Sequence, residues 1–276
     1  MSGCLRALFV LLVVACVAPS RAADDGGVDA SAAGPAATGP AVDSIVDPAV
    51  DPAVDPAVDF GALRVVELFT SHGCSSCPAA DELLGRLIEK RPDLVALEYH
   101  VDYWNRLVHG GDGNWIDPFS DADWTMRQRE YDMADLRGRR GVYTPQAIIN
   151  GRFAAVGSDA GRIIMALDEA PAALVDVRID RRDGAYVITV AADMAGGADI
   201  VLVRYLDRAI TRVTGGENRH RTLVNHHIVL TQEALGQVDI DEPRRFTVTA
   251  SDEGQGCAVL VQDRMMSPIF GAARCP

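Results

Sequence analysis

A chain of 276 residues, 48% of them hydrophobic, has material for one large domain or two ordinary ones. The formal charge is −13, and much of it is local: Asp24, Asp25, Asp29, Asp43, Asp47, Asp51, Asp55 and Asp59 all precede the first strand pattern. This balance argues against a nucleic-acid partner, whose phosphates need a basic face, and says little about a small substrate.

Arg6 is followed by an apolar run over residues 7–17, too short to span a bilayer. Ser20 and Ala22 are small residues where a signal peptidase reads, so residues 1–22 are expected to be an export signal, removed from the mature chain. A second cut competes. Val13-Val14-Ala15-Cys16 resembles a lipobox, after which Cys16 would carry a lipid and tether the protein to a membrane. Cys4 is lost either way, which leaves Cys74, Cys77, Cys257 and Cys275 in an oxidising compartment. Residues 23–60 read as a disordered linker. Val46-Asp47-Pro48-Ala49 recurs as Val50-Asp51-Pro52-Ala53 and Val54-Asp55-Pro56-Ala57, a proline spacing that forbids helix, with hydrated charge between.

Residues 61–171 are expected to form an α/β domain. An apolar run at 63–69 reads as a buried strand, and Ala80, Leu83, Leu84, Leu87 and Ile88 then recur at helical spacing. Residues 94–101 give a second strand, 102–120 a long loop, and 121–136 a helix with a weak apolar stripe. Strands at 146–150 and 152–156 flank Asn150-Gly151, a hairpin signal, and Ser158 is expected to cap a last helix carrying Ile163 and Leu167. Residues 172–276 change character. Short alternating runs at 175–179, 185–191, 200–206, 223–230, 246–250, 257–262 and 269–274 predict an all-β antiparallel, sandwich-like domain.

The chemistry centres on Cys74-Ser75-Ser76-Cys77, between the first strand and the first helix. Unpaired N–H groups and the positive dipole end of a helix favour a nearby thiolate, so Cys74 reads as a low-pKa nucleophile and Cys77 as its resolving partner. The alternatives are an inert structural disulfide, or a soft metal held by both thiolates with His72 or His100. A zinc site of the four-cysteine kind lacks its second C-x-x-C, so no metal site is assigned. Glu67 on the first strand could take the resolving thiol's proton; an edge or solvated glutamate is the competing reading. His72 could favour the Cys74 thiolate when protonated, or sit on a loop surface. His100, Asp102, Tyr103 and Trp104 could line the same face or simply pack. If 257–262 and 269–274 form one hairpin turning at Met266, Cys257 falls opposite Cys275, which predicts a structural disulfide. His226 and His227 read as strand or loop surface, since neighbours on a strand face opposite ways.

Several motifs together carry a resemblance: Val66-Glu67-Leu68-Phe69-Thr70-Ser71, Gly73-Cys74-Ser75-Ser76-Cys77-Pro78, His100-Val101-Asp102-Tyr103-Trp104, Asp117-Pro118-Phe119, Arg127-Gln128, Tyr143-Thr144-Pro145-Gln146 and Gly216-Glu217-Asn218. They resemble the bacterial secreted thioredoxin-like proteins known as domain of unknown function 1223. The resemblance implies a thioredoxin-like fold, export and a disulfide role. It also implies that Thr144-Pro145 is the cis-proline element facing the cysteine pair. The chain departs from the family in its Asp-Pro linker, in Asp112-Gly113-Asn114 and in Cys275. The expected function is therefore an exported thiol–disulfide oxidoreductase, periplasmic or extracytoplasmic, acting on protein thiols or disulfides of the cell envelope. It needs no cofactor, and it meets a membrane only through a lipid on Cys16. The alternative is a redox-inert or metal-holding scaffold that docks a partner through its β-domain.

Overall fold

The computed structural model describes residues 64–107, 115–134, 136–192, 197–239 and 243–276. The expected export signal, the Cys16 lipid site, the Asp-Pro linker and the Asp112-Gly113-Asn114 insertion lie outside the described residues.

In chain order the elements are β1 (Val65–Thr70), α1 (Pro78–Lys90), β2 (Val95–Val101), α2 (Trp104–Leu107), β3 (Ser120–Asp121), α3 (Ala122–Met133), β4 (Arg137–Gly138), β5 (Gln146–Ile149), β6 (Phe153–Val156), α4 (Ala160–Asp168), β7 (Val175–Arg182), β8 (Ala185–Ala192), β9 (Ala198–Arg212), β10 (Thr222–Val238), β11 (Arg244–Thr249), β12 (Gln255–Asp263) and β13 (Ile269–Arg274). β1 and β2 are buried along their whole length, run parallel, and are joined by α1. Strands covered on both faces read as continuous apolar runs, which is why both are visible in the sequence. Odd-numbered side chains, Val65, Phe69, Leu97 and Tyr99, pack with Trp124 and Tyr131 of α3. Even-numbered Val66, Leu68 and Ala96 pack with Leu83, Leu84 and Leu87 of α1. The inward face of α3 carries Thr125, Arg127 and Gln128 beside its aromatics, so no apolar stripe marks it in the sequence.

The β5–β6 hairpin turns on Asn150 (φ 52°) and Gly151 (φ 61°), two consecutive left-handed residues as a tight hairpin requires. Asn150 also accepts the Val65 N–H at 2.7 Å, tying the turn to the start of β1. The cap of α4 is Asp159, which accepts from the Arg162 N–H at 3.1 Å, and not the expected Ser158.

A mixed ten-stranded sheet runs in the order β13-β12-β9-β10-β2-β1-β5-β6-β4, with β3 beside β2. A second, antiparallel sheet of β11-β8-β7 lies apart. The expected sequence of an α/β part followed by an all-β part describes the order of elements but not the sheet. β10 runs parallel to β2, with Ile228 opposite Glu98, so one sheet crosses the expected boundary at residue 171. The sandwich is built where Tyr186, Ile188 and Phe246 of the small sheet pack on Ile200, Leu202, Val259 and Phe270 of the large one. Gly271 permits a close approach: a Cβ there would lie 2.4 Å from the Val175 carbonyl oxygen. β9 and β10 have 15 and 17 residues, well beyond the runs at 200–206 and 223–230. Register shifts at Val229/Thr231 and Ala234/Gly236 break the two-residue alternation that a sequence pattern depends on. No helix among the described residues is long and apolar enough to cross a membrane.

Candidate functional site

β1 ends at Thr70, and Ser71, His72 and Gly73 carry the chain to the cysteines. Cys74 and Cys77 are joined by a disulfide, with Cα atoms 5.4 Å apart. Cys77 is the N-cap of α1 and Pro78 its first residue, where the missing N–H has no intrahelical partner to lose. The cap side chain makes no hydrogen bond to the helix, so the positive end of α1 stays electrostatically available to the sulfurs.

Both sulfurs are enclosed, Cys74 being 1% exposed and Cys77 0%. Part of the cover is the tip between β9 and β10. Asn218, fully buried, donates through Nδ2 to the carbonyls of His72 (3.0 Å) and Cys74 (2.7 Å). Glu217 Oε2 accepts the Ser75 N–H at 2.9 Å, and hydrogen bonding from the Ser75 side chain, then from this N–H, holds the Glu217 carboxyl below its usual pKa. A carboxylate from the β9–β10 tip thus shares the positive end of α1 with the sulfurs.

Beneath the disulfide lies a buried polar cluster on the α1 face of the sheet. Asp81 is one helical turn after Cys77, is 2% exposed, and accepts from Thr70 Oγ1 at 2.7 Å. Burial, and then the charge of Glu98, push its pKa well above the usual carboxylate value. Glu98 accepts from Asn225 Nδ2 and from the His226 N–H (2.9 Å). His100 bridges two carboxylates, with Nδ1 2.9 Å from Asp117 Oδ2 and Nε2 3.2 Å from Glu98 Oε1. Burial opposes a charge on His100, but Asp117 and Glu98 outweigh it and raise its pKa to about 10. Burial likewise works against the Asp117 charge, yet His100, His72 and the backbone of His72 hold it well below the carboxylate range. His72 Nε2 lies 2.8 Å from Asn225 Oδ1.

A family described as "Protein of unknown function (DUF1223)" matches residues 65–262. The chain belongs to that family. The crystal structure of protein AGR_C_4864 from Agrobacterium tumefaciens is similar, with 35% sequence identity and a TM-score of 0.62, covering 76% of this chain and 92% of that one. No curated protein matches the chain.

In this DUF1223 protein, two candidates from the sequence take other roles. Glu67 is fully buried, but on the α3 face of the sheet, opposite α1. It accepts from Arg127 Nε at 2.7 Å and from the Tyr131 hydroxyl, so it is a core ion pair and not a base for Cys77. His72 is fully buried, not on a loop surface, and burial followed by the charge of His100 lowers its pKa. That shift disfavours the protonated imidazole that would support a Cys74 thiolate. The buried carboxyl on the same helix face as Cys77 is Asp81. Its signal was the i, i+4 spacing from Cys77, which puts both on one helix face. Glu98 and His100 alternate within β2, so they share a face; that too was readable. Asn218 and Asn225 sit some 140 or more residues from the cysteines in sequence (Asn218 is 144 from Cys74) and carried no local signal.

Pro145 lies beside the first turn of α1: a Cβ on Gly157 would be 3.0 Å from Pro145 Cβ and 3.1 Å from Ala80 Cβ. The Thr144–Pro145 bond is cis, and Thr144 Oγ1 accepts from Trp104 Nε1 at 2.7 Å. Cys257 and Cys275 form a second disulfide across β12 and β13, where the Cys275 N–H also donates to the Cys257 carbonyl at 2.8 Å. His227 is 8% exposed and hydrogen-bonded to the Ala96 carbonyl at 2.9 Å, so it is core and not the expected surface residue.

Proposed function

We propose that this DUF1223 protein is an exported thiol–disulfide oxidoreductase with Cys74 and Cys77 as its redox pair and protein thiols or disulfides of the cell envelope as its substrates. The observation that carries the reading is a two-residue-spaced disulfide at the first turn of a helix, directly after a buried parallel strand. The strand order β2-β1-β5-β6, with β1 and β2 parallel, β5 antiparallel to β1 and β6 antiparallel to β5, resembles the thioredoxin-like arrangement. Pro145 beside the helix tip supports the same reading.

In the reducing direction, the Cys74 thiolate attacks one sulfur of a substrate disulfide and expels the other as a thiolate. Cys77 passes its proton to Asp81 in its ionised form, whose raised proton affinity suits it to take one from a thiol, and attacks Cys74 Sγ. The second substrate sulfur leaves, and the Cys74–Cys77 disulfide forms. The substrate gains two electrons and the protein dithiol loses them. The reverse sequence oxidises a substrate dithiol. In either direction the β9–β10 tip has to lift, because Cys74 is enclosed.

That enclosure favours a second reading, a scaffold in which the Cys74–Cys77 bond is purely structural. Equilibration with glutathione followed by thiol mass mapping separates the two. Reversible interconversion, with mixed disulfides trapped by Cys77→Ser in the envelope of the native host, supports the oxidoreductase. A bond that stays closed across the glutathione range of envelope compartments, with nothing trapped, overturns it.

A further inference from the structure

We propose that His72, His100 and Asp117 form a binding site for a zinc-type divalent cation, behind the disulfide and independent of it. One nitrogen from each imidazole and one carboxylate oxygen lie within 4.8 Å of one another, and all three residues are buried. Two imidazoles and a carboxylate are a donor set that suits such ions.

The hydrogen bonds around the cluster indicate which atoms would bind. Asn225 donates its amide N–H to Glu98, so its oxygen is left to accept from His72 Nε2–H. His72 Nδ1 then carries a lone pair. It makes no hydrogen bond, although the side chain is fully buried. Opposite it, at 3.5 Å, is Asp117 Oδ1, too far for a charge-assisted hydrogen bond, which would be about 2.7–2.9 Å. Two acceptors face each other with no proton between them. A cation there would satisfy both.

His100 repeats the pattern. Its Nδ1 points to the same carboxylate, and its Nε2 is held by Glu98 Oε1. Metal-binding histidines commonly donate their outer N–H to an oxygen acceptor that fixes the ring and its tautomer. Asn225 does this for His72 and Glu98 does it for His100. The rings stand nearly perpendicular, at 86°, with centroids 4.8 Å apart, so both Nδ1 atoms can reach a point near Asp117. Zinc–ligand bonds of about 2.0–2.2 Å need the widest separation to close by about 1 Å. Binding replaces the Nδ1 proton of His100. The dication is balanced by the buried carboxylates of Asp117 and Glu98. Three protein ligands leave one tetrahedral position for water or a small anion.

The site is enclosed, so the test refolds the full chain, disulfides intact, from guanidinium with zinc or cobalt(II), then dialyses and counts metal. We expect about one equivalent and an X-ray absorption shell of nitrogen and oxygen alone. The Cys74→Ser/Cys77→Ser protein should keep the metal, which separates this site from the redox reading. His72→Asn should bind at least 100-fold more weakly. If that variant does not fold, Asn225→Ser tests the same geometry from outside the ligand set and should weaken binding about 10–100-fold. A folded wild-type protein without stoichiometric metal overturns the proposal, as does sulfur in the shell or loss of the metal with the cysteines.

Discussion

Glu67 looked like a proton acceptor in the sequence and is half of a buried ion pair in the fold, and Glu67→Gln separates the two roles. The carboxylate takes hydrogen bonds from Arg127 Nε and the Tyr131 hydroxyl, and Arg127 continues to Gln262 Oε1 at 3.0 Å. Side-chain exposure is 0% for Glu67 and 7% for Arg127. Removing the negative charge leaves the guanidinium buried with only neutral partners. Breaking a buried pair from one side costs about 3–5 kcal/mol. At 2–4 °C per kcal/mol for a protein of this size, Tm should fall by about 6–20 °C. Urea unfolding followed by tryptophan fluorescence measures the loss directly. Because the damage is an unpaired charge and not a missing contact, Glu67→Leu/Arg127→Met should recover most of the stability. The glutathione equilibrium of Cys74/Cys77 should move less than twofold, since Glu67 lies across the sheet from α1. A Gln variant of wild-type stability whose redox equilibrium shifts tenfold would refute this account and restore Glu67 to the thiol chemistry.

Three further expectations follow from the same structure. Asp81 has a raised folded-state pKa, so at pH values between its unfolded and folded pKa the folded protein binds more proton there than the unfolded chain does. Its contribution is complete below the unfolded carboxyl pKa and is lost as pH rises through the folded value. Asp81→Asn should remove that slope, being more stable than wild type at alkaline pH in urea titrations, and should slow resolution by Cys77 tenfold or more by stopped flow. An unchanged slope would deny Asp81 its buried acid state. Asn218→Ala removes two buried hydrogen bonds holding the β9–β10 tip on the cysteines. At about 1–3 kcal/mol for that loosening, reduction of the Cys74–Cys77 bond by a small phosphine should quicken about 5–150-fold, while an unchanged rate would mean the tip does not control access. Cys257→Ala/Cys275→Ala should cost about 3 kcal/mol through a loop of 18 residues, without altering the glutathione equilibrium of the other pair.

What the sequence by itself determined was local. Periodicity exposed β1, α1, β2 and the β5–β6 hairpin, because each is specified by neighbouring residues: a continuous apolar run, an i, i+3, i+4 stripe, an Asn-Gly turn. The cysteine spacing and its position at a helix start were legible for the same reason. Only the tertiary structure decided which groups keep the cysteines company. Strand parity sends Glu67 to the α3 face, while helix periodicity turns Asp81 toward the sheet beneath Cys77. β10 joins β2 and brings Asn225, and the β9–β10 tip brings Glu217 and Asn218, onto a site far away in sequence. Hydrogen bonds between such distant residues leave no periodic trace. Burial then lowers the pKa of His72, against the protonated reading, because desolvation acts on a residue's final surroundings and not on its neighbours in the chain.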